Sequence, residues 1–330
     1  MQNLQKLSES IFTIRNTNEF ENFAFQLFEW HYNHNSVYRL FCQNTGRSPK
    51  NVSALSQIPC IPVNLFRYNK IIPDNYSHKI FFETSGTTDA ETGRHYIVDP
   101  DLYLASATNC FKIFYGNIED YAVLALLPGY LERKHSSLIY MVNHWIKCSN
   151  NPLSDFYLYN HDKLFQSLEI LKNKNQKTLL IGVTHALVDF SEKYSINFPE
   201  LTVMETGGMK GRRQELLRDE LHSVLKKSFG VQNIHSEYGM TELLSQAYSK
   251  SNGIFQCPPW MRVMLRDIND PLSSPQNKSS GAINIIDLAN MYSCPFLATD
   301  DRGIIYKDGT FEVLGRIDFS SIRGCSTMIS

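Results

Sequence analysis

The chain has 330 residues, of which 42% are hydrophobic and 20% charged, and its formal net charge is −1. This composition excludes an intrinsically disordered chain and provides a substantial core for one large domain or two ordinary ones. The near-zero net charge argues against broad electrostatic binding to nucleic acid or to an anionic membrane.

The seven cysteines are odd in number and scattered, and no CxxC pair occurs among them. The sequence therefore supports neither a zinc site nor a disulfide framework, and free thiols are typical of a reducing compartment. The N-terminal segment MQNLQKLSESIFTIRN lacks an apolar signal core, and the longest apolar run, residues 121–128, is too short to span a bilayer. We expect a cytoplasmic, soluble protein without a membrane span.

In chain order, short apolar runs alternate with amphipathic segments. The spacing of apolar residues predicts helices over residues 20–34, 38–42, 100–114, 138–146, 163–172, 184–194 and 213–229. Continuous apolar runs predict buried strands over residues 122–127 and 178–183, and two further strands are predicted over residues 201–205 and 233–237. Asp99 is the expected N-cap of the helix that opens with Pro100. Pro59 and Pro62 favour an extended segment over residues 58–67. Alternation of this kind predicts an α/β fold.

After Pro258 the helices give way to short strands and turns. The predicted strands cover residues 261–266, 282–287, 296–298, 303–306 and 311–314. This part of the sequence predicts an antiparallel β module packed against the α/β body.

A polar loop follows an apolar strand end in the stretch FFETSGTTDAETGRHY, residues 81–96. Hydroxyls of Ser85, Thr87 and Thr88 surround Gly86, which lets the main chain approach a ligand closely. Backbone N–H groups and hydroxyls of such a loop can wrap a phosphate. The loop is not a Walker motif, because G-x-x-x-x-G-K-[ST] is absent. An ordinary Ser/Thr-rich turn is the alternative.

Three further polar segments follow predicted strands: ETGG at residues 205–208, EYGMTE at 237–242, and ATDDRG at 298–303 with LGRID and IRG after it. In this order and at these distances the four segments resemble the motif series of the adenylate-forming superfamily of acyl-CoA ligases, luciferases and adenylation domains. YGMTE and LGRID…IRG are the most specific. The chain is most similar to the acyl-protein synthetases, the LuxE family, through IPVNLFRYNK, FFETSGTT, CPPWMRVMLRD, YSCPFLATDDRGII and IRGCSTMIS.

The resemblance implies a fold and a division of the chain. Residues 1–316 would form the large AMP-binding domain of the superfamily, with layered α/β sheets and a small antiparallel β module. Residues 317–330 would form a short tail that bears Cys325, and the superfamily's C-terminal subdomain would be largely missing.

The resemblance also implies roles for individual residues. Ser85, Gly86, Thr87 and Thr88 would cradle the phosphates of ATP, Gly207 and Gly208 would lie against the adenine, and Glu242 would hold Mg²⁺. Tyr238, in the segment with Gly239 and Thr241, would stack on the adenine. Asp301 would bind the ribose hydroxyls, Arg316 the ribose or a phosphate, and Asp318 would mark the hinge. The alternatives are a solvent-facing helix acid for Glu242, turn acids for Asp300 and Asp301, and a structural ion pair for Arg316.

The sequence departs from the superfamily pattern in its cations and in one glycine. Thr299-Asp300-Asp301 stands where the superfamily has T-G-D. The lysine of the superfamily's C-terminal subdomain has no counterpart, and the phosphate loop lacks its usual lysine, for which Arg94 is a possible substitute. Either another cation serves, or the adenylation step is weak or lost.

Cys325 occupies a place similar to that of the acyl-accepting cysteine of the acyl-protein synthetases. A partly ionised thiol is a strong nucleophile, and Arg323 would favour the thiolate. A free cysteine without function is the alternative. The other six cysteines lie in apolar sequence and are expected in the core.

The leading hypothesis is an ATP- and Mg²⁺-dependent ligase. It would activate a fatty or other carboxylic acid as an acyl adenylate, transfer the acyl group to Cys325 and pass it to a partner protein, such as a reductase or an acyl carrier protein. Two alternatives remain: an ATP-independent acyltransferase that uses acyl-carrier protein or acyl-CoA, and a non-catalytic subunit of an acyl-transfer complex.

The candidate bases for the thiol proton are His95, His135, His144, His185 and His235. His235 is expected nearest the nucleotide, although a core histidine is its simpler role.

Overall fold

A computed structural model describes residues 2–84, 92–129, 135–207, 218–268, 270, 272–273, 275 and 280–317. Within these ranges the helices are, in chain order, α1 Gln2–Ser10, α2 Thr17–His34, α3 Ser36–Asn44, α4 Pro100–Tyr115, α5 Ser137–Cys148, α6 His161–Asn173, α7 Thr184–Lys193 and α8 Arg218–Phe229. The strands are β1 Ile61–Pro62, β2 Ile80–Glu83, β3 Arg94–Ile97, β4 Ala122–Leu126, β5 Asp155–Phe156, β6 Thr178–Val183, β7 Thr202–Thr206, β8 His235–Tyr238, β9 Ala247–Ser249, β10 Ile254–Phe255, β11 Met261–Arg266, β12 Gly281–Asp287, β13 Phe296–Ile305 and β14 Phe311–Arg316.

The first six-stranded sheet carries the α/β part of the chain, in the order β5-β4-β6-β7-β8-β9. Strands β4 to β8 run parallel, and β9 pairs antiparallel to β8. Every residue of β4 and β6 is buried, because helices cover both faces of a parallel sheet. The four strands predicted over residues 122–237 are confirmed, with small differences at their ends.

The second six-stranded sheet confirms the predicted antiparallel β module. Its path is β10-β14-β13-β12-β11, and β1 pairs parallel to β13. Residues 296–306 were expected as two strands, but they form the single strand β13, with a register shift between Arg302 and Gly303. A Cβ at Gly303 would lie 2.5 Å from the carbonyl oxygen of Glu312, so the close approach of β14 requires glycine there.

The predicted helices are also confirmed, and their ends follow the expected capping chemistry. The Asp99 side chain accepts hydrogen bonds from the backbone N–H groups of Asp101 and Leu102, and Pro100 opens α4. Of the helix predicted over residues 213–229, the structure describes α8, since residues 208–217 lie outside the described ranges. The helix α1 was not predicted.

The extended segment predicted over residues 58–67 is wrong in its second half. Only Ile61–Pro62 is a strand, and Val63–Arg67 forms a 3₁₀-helix with Pro62 at its N-cap. Proline excludes a helix interior but not the residue that precedes a first helical turn, so the two prolines allow this turn.

Strands β2 and β3 form a two-stranded hairpin, in which Glu83 pairs with Arg94 at the loop end. The helix α2 joins the second sheet through polar contacts, because His31 Nε2 lies 2.9 Å from the carbonyl oxygen of Met291. No helix in the described ranges has both the length and the apolar character needed to cross a bilayer.

Candidate active site

The candidate site lies where the parallel strands β7 and β8 end. In open α/β sheets, ligands bind outside the carboxyl ends of the strands. Strand β7 ends at Thr206, followed by Gly207, and β8 ends at Tyr238, followed by the loop Gly239–Glu242. The sequence placed its nucleotide motifs at these two strand ends.

The Tyr238 side chain connects the two sheets. Its hydroxyl donates a hydrogen bond to Asp301 Oδ2 of β13, at 2.8 Å. The aromatic rings of Phe255 and Phe311 pack against it, with ring centroids 5.8 and 5.6 Å away. Tyr238 and Asp301, which the sequence paired only through motif order, are therefore direct neighbours, and the second carboxylate oxygen of Asp301 makes no hydrogen bond to a described residue.

Arg316 lies opposite Asp301 in the β13–β14 ladder. Burial raises the pKa of Asp301, and the hydrogen bond from Tyr238 and the charge of Arg316 oppose that rise. The Arg316 charge also acts on the Glu242 carboxylate. The Arg316 side chain is exposed, and its charge acts on two acids. This arrangement argues against a purely structural ion pair.

Glu242 is buried, with 8% of its surface exposed, and lies in a turn rather than a helix. The alternative of a solvent-facing helix acid is therefore wrong. Burial raises the pKa of its carboxyl group to about 7. Its own backbone N–H, Arg316 and Arg67 act in the opposite direction, while the charge of Asp300 adds to the rise.

Two buried polar side chains hold the loop that carries Glu242. His95 Nδ1 lies 2.8 Å from the carbonyl oxygen of Thr241, and Asn290 Nδ2 donates to the carbonyl oxygen of Glu242, also at 2.8 Å. The His95 and Asn290 side chains contact each other at 3.1 Å. Thr241 Oγ1 donates to the carbonyl oxygen of Glu83 at 3.4 Å. The β2–β3 hairpin and the second sheet thus fix the backbone of this loop from both sides.

The candidate bases differ in their surroundings. Burial lowers the pKa of His95 to about 4, and both of its ring nitrogens are engaged. Burial also lowers the pKa of His235 to about 4, and its Nδ1 lies 3.2 Å from the Tyr115 hydroxyl. His144 contacts Cys148 on α5, and the His135 ring stacks on Phe81. His95 is therefore a neutral core histidine, and His235 is a partly buried, neutral one.

Glu237 is a second carboxylate, in the strand β8 that ends at Tyr238. No role was predicted for it from the sequence. Burial raises its pKa to about 7, and Thr206 Oγ1 donates to its Oε2 at 2.5 Å. Its Oε1 lies 2.4 Å from where a Cβ on Gly239 would be, so the glycine leaves room for the carboxyl group. The only signal in the sequence was an acid on one predicted strand and a threonine at the end of the preceding one. Such a pair does not reveal that the acid is buried.

A network around Glu205 positions the end of β7. Its carboxylate accepts hydrogen bonds from Thr184 and Ser236, each at 2.8 Å, and His222 Nε2 lies 3.6 Å away. Burial acts to raise the pKa of Glu205, but His222 and the two hydroxyls outweigh it and lower the pKa. Thr184 Oγ1 also lies 2.7 Å from the carbonyl oxygen of Gly207, which ties the first glycine of the ETGG segment to the sheet.

The structure brings part of the predicted site together. Tyr238, Glu242, Asp301 and Arg316 converge on one region, with Gly207 at the adjacent strand end. Ser85, Gly86, Thr87, Thr88, Gly208, Asp318, Arg323 and Cys325 lie outside the described residues. Across the described ranges, no group of three or more His, Cys, Asp or Glu side chains is arranged to hold a metal ion.

None of the protein-family models matches the chain. In sequence, it is 22% identical over 331 residues to the long-chain-fatty-acid–luciferin-component ligase of Aliivibrio fischeri, an alignment that covers 91% of this chain and 85% of that protein.

Solved structures of adenylate-forming ligases share the fold. The 2-hydroxyisobutyryl-CoA ligase in an open conformation, in complex with 2-HIB-AMP and CoA, superposes with a TM-score of 0.66 at 11% identity over 91% of this chain and 69% of its own. The long-chain-fatty-acid-CoA ligase FadD1 of Archaeoglobus fulgidus gives 0.53 at 15% identity over 76% and 54%. ATP-bound MatB of Rhodopseudomonas palustris gives 0.51 at 17% identity over 72% and 47%. The predicted resemblance is confirmed: the chain has the fold of the adenylate-forming ligases and is similar to the acyl-protein synthetases over most of its length.

Proposed function

We propose that this chain activates a carboxylic acid with ATP as an acyl adenylate, transfers the acyl group to Cys325, and passes it to a partner protein. The relative from Aliivibrio fischeri is named for a long-chain fatty acid, and a long-chain fatty acid is the acid we propose here. The observation that carries the proposal is the convergence of Tyr238, Glu242, Asp301 and Arg316 beside the ends of the parallel strands.

In the first step a carboxylate oxygen attacks the α-phosphorus of ATP, and the bond to pyrophosphate breaks. Two anions must meet, so the step depends on positioning and on cations near the phosphates. The Tyr238 ring would stack on the adenine while its hydroxyl keeps Asp301 in place. The free carboxylate oxygen of Asp301 would accept from a ribose hydroxyl, and Arg316 would contact the α-phosphate or the ribose.

The chemistry of the residues present fits a magnesium ion. Glu242 supplies a buried carboxylate, and Asp300 lies close enough for its charge to raise the pKa of Glu242. Oxygen donors of this kind are the ligands Mg²⁺ prefers, together with the phosphates of its substrate. When bound, Mg²⁺ would neutralise part of the phosphate charge. The hydrogen bond from Asn290 to the backbone of Glu242 would keep that carboxylate in position.

In the second step the Cys325 thiolate would attack the acyl carbon. The sulfur–carbon bond forms, the bond to AMP breaks, and the thiol proton leaves to a base or to water. In this proposal residues 1–316 form the nucleotide-binding domain and residues 317–330 form the tail that carries Cys325. The acyl acceptor would be a reductase or an acyl carrier protein.

Mass spectrometry of the purified protein tests this function. After incubation with a long-chain fatty acid and Mg·ATP, we expect an acyl adduct on the peptide that contains Cys325, and none without ATP. Cys325→Ala should abolish the adduct, and Glu242→Gln should reduce it at least ~10-fold, because a carboxylate that holds the cation is lost. Glu169→Gln, at a partly exposed acid on α6, is the matched control.

Other outcomes would replace the proposal. An adduct that forms from acyl-CoA or an acyl carrier protein without ATP would support the ATP-independent acyltransferase. Absence of any adduct with all donors would support the non-catalytic subunit.

A further inference from the structure

The 3₁₀-helix Val63–Arg67 lies between the strand that carries Asp301 and the β2–β3 hairpin. It follows β1, which pairs with Leu297 and Ala298 of β13, the strand that carries Asp301. The preceding residue, Phe66, is buried, and its ring packs edge-on against His95 of β3. The backbone of Arg67 is therefore anchored both to the site strand and to the hairpin.

The Arg67 side chain lies against the loop end of that hairpin. Its Cγ is 3.4 Å from where a Cβ on Gly93 would be, and the Thr84 side chain is at 3.2 Å from the same point. Thr84 and Gly93 close the loop end of the hairpin, since Thr84 N donates to the Gly93 carbonyl oxygen and Gly93 N donates to Thr84 Oγ1, each at 2.9 Å. Arg67 thus lies where the chain enters and leaves the hydroxyl-rich segment.

The Arg67 guanidinium is uncommitted among the described residues. It is exposed, and neither an ion pair nor a hydrogen bond joins it to another residue in the described ranges. Its charge acts on the buried carboxylate of Glu242, as does that of Arg316 from β14. The loop end of the hairpin, where Arg67 lies, also meets the residue before Glu242, since Thr241 Oγ1 donates to the carbonyl oxygen of Glu83 at 3.4 Å.

Two other arginines of this region are already engaged. Arg94, the substitute that the sequence suggested, is ion-paired with Glu83 at 3.1 Å and lies over the Phe81 ring. Arg266 is buried and donates to the carbonyl oxygens of Ile283 and Thr299. Arg67, by contrast, makes neither a hydrogen bond nor an ion pair with a described residue, so its donors can meet a ligand.

We propose that Arg67 binds the phosphate oxygens of ATP and replaces the lysine that the hydroxyl-rich loop lacks. A guanidinium presents a planar fork of donors that matches two phosphate oxygens. Arg316 supplies positive charge on the β14 side, and Arg67 supplies it on the hairpin side. This inference rests on the proposed function, because it takes ATP as the ligand.

Calorimetric titration of the full chain with ATP and with adenosine tests the role of Arg67. For Arg67→Ala we expect ATP affinity to fall ~10-fold or more, while adenosine affinity stays at the wild-type level because adenosine has no phosphate. Arg67→Lys keeps the charge but not the fork, so it should recover part of the loss. Arg39→Ala, which removes a partly exposed arginine on α3 that pairs with Asp74, is the matched control.

Each remaining outcome decides the question. If wild-type protein binds ATP and Arg67→Ala binds it equally well, Arg67 has no phosphate role and the proposed function stands. Equal losses for ATP and adenosine would assign Arg67 a structural role and overturn the inference. A larger loss of ATP affinity in Arg94→Ala than in Arg67→Ala would identify Arg94 as the phosphate-binding cation and overturn the inference. If the wild-type chain binds no ATP, both the inference and the proposed function fail.

Discussion

Glu237 should make the protein less stable as the pH rises, and Glu237→Gln should remove that penalty. The ordinary pKa of the carboxyl group is 4.5, and burial raises it to about 7 in the folded protein. Between those two pH values the folded state keeps the proton that the unfolded state has lost. The free energy of unfolding therefore falls as pH rises through this window. The stability that protonated Glu237 contributes is fully present below pH 4.5.

The size of the effect follows from the pKa change. A difference of about 2.5 pH units, at about 1.36 kcal/mol each, corresponds to about 3 kcal/mol. Glutamine is neutral at every pH and keeps an oxygen that can accept the hydrogen bond from Thr206. We therefore expect Glu237→Gln to match the wild type near pH 4.5 and to be more stable by up to about 3 kcal/mol at pH 8.

Urea denaturation of both proteins at pH 4.5, 6 and 8 measures this difference; the pH values bracket the two pKa values of Glu237. Other titrating groups are common to both proteins and cancel in the comparison. Glu169→Gln on α6 is the control, and it should show no pH-dependent gain. A gain in Glu237→Gln that is the same at all three pH values, or a loss at pH 8, would refute the reasoning from burial.

Three further substitutions test the packing of the site. Gly239→Ala should push the Glu237 carboxyl group away from its threonine partner and cost about 1–3 kcal/mol of unfolding free energy, measured by urea denaturation; unchanged stability would contradict the observed crowding. Asn290→Ala removes a buried hydrogen bond to the loop after β8 and should cost about 1–3 kcal/mol while raising the KM for ATP; a stability loss with an unchanged KM would mean that the loop does not need this contact. Tyr238→Phe removes the hydrogen bond to Asp301 but keeps the ring, so ATP affinity should fall less than in Tyr238→Ala; equal losses in the two titrations would exclude stacking as the larger contribution.

Much of the fold could be predicted from the sequence because its signals are local. Continuous apolar runs identified β4 and β6, whose residues are all buried. The aspartate–proline pair at residues 99–100 identified the start of α4. The strand β13 was divided in two because its polar middle, including Asp300 and Asp301, resembles a loop, although pairing with β12 and β14 keeps it extended.

The rest of the site depends on contacts between distant parts of the chain. The motifs identified Tyr238, Glu242, Asp301 and Arg316, and the structure brings these four together. Arg67 could not be found this way, because its position depends on a 3₁₀-helix where the prolines favoured an extended chain. The partial burial of Glu237, which raises its pKa, likewise arises only from tertiary packing.

Exchange of labelled pyrophosphate into ATP, with and without a long-chain fatty acid, reports directly on acyl-adenylate formation at the proposed site. We expect the wild-type chain to catalyse exchange only when the fatty acid is present. Cys325→Ala should retain this exchange, since the thiol acts after the adenylate has formed. Wild-type protein that binds ATP but shows no acid-dependent exchange would contradict carboxylate activation at this site.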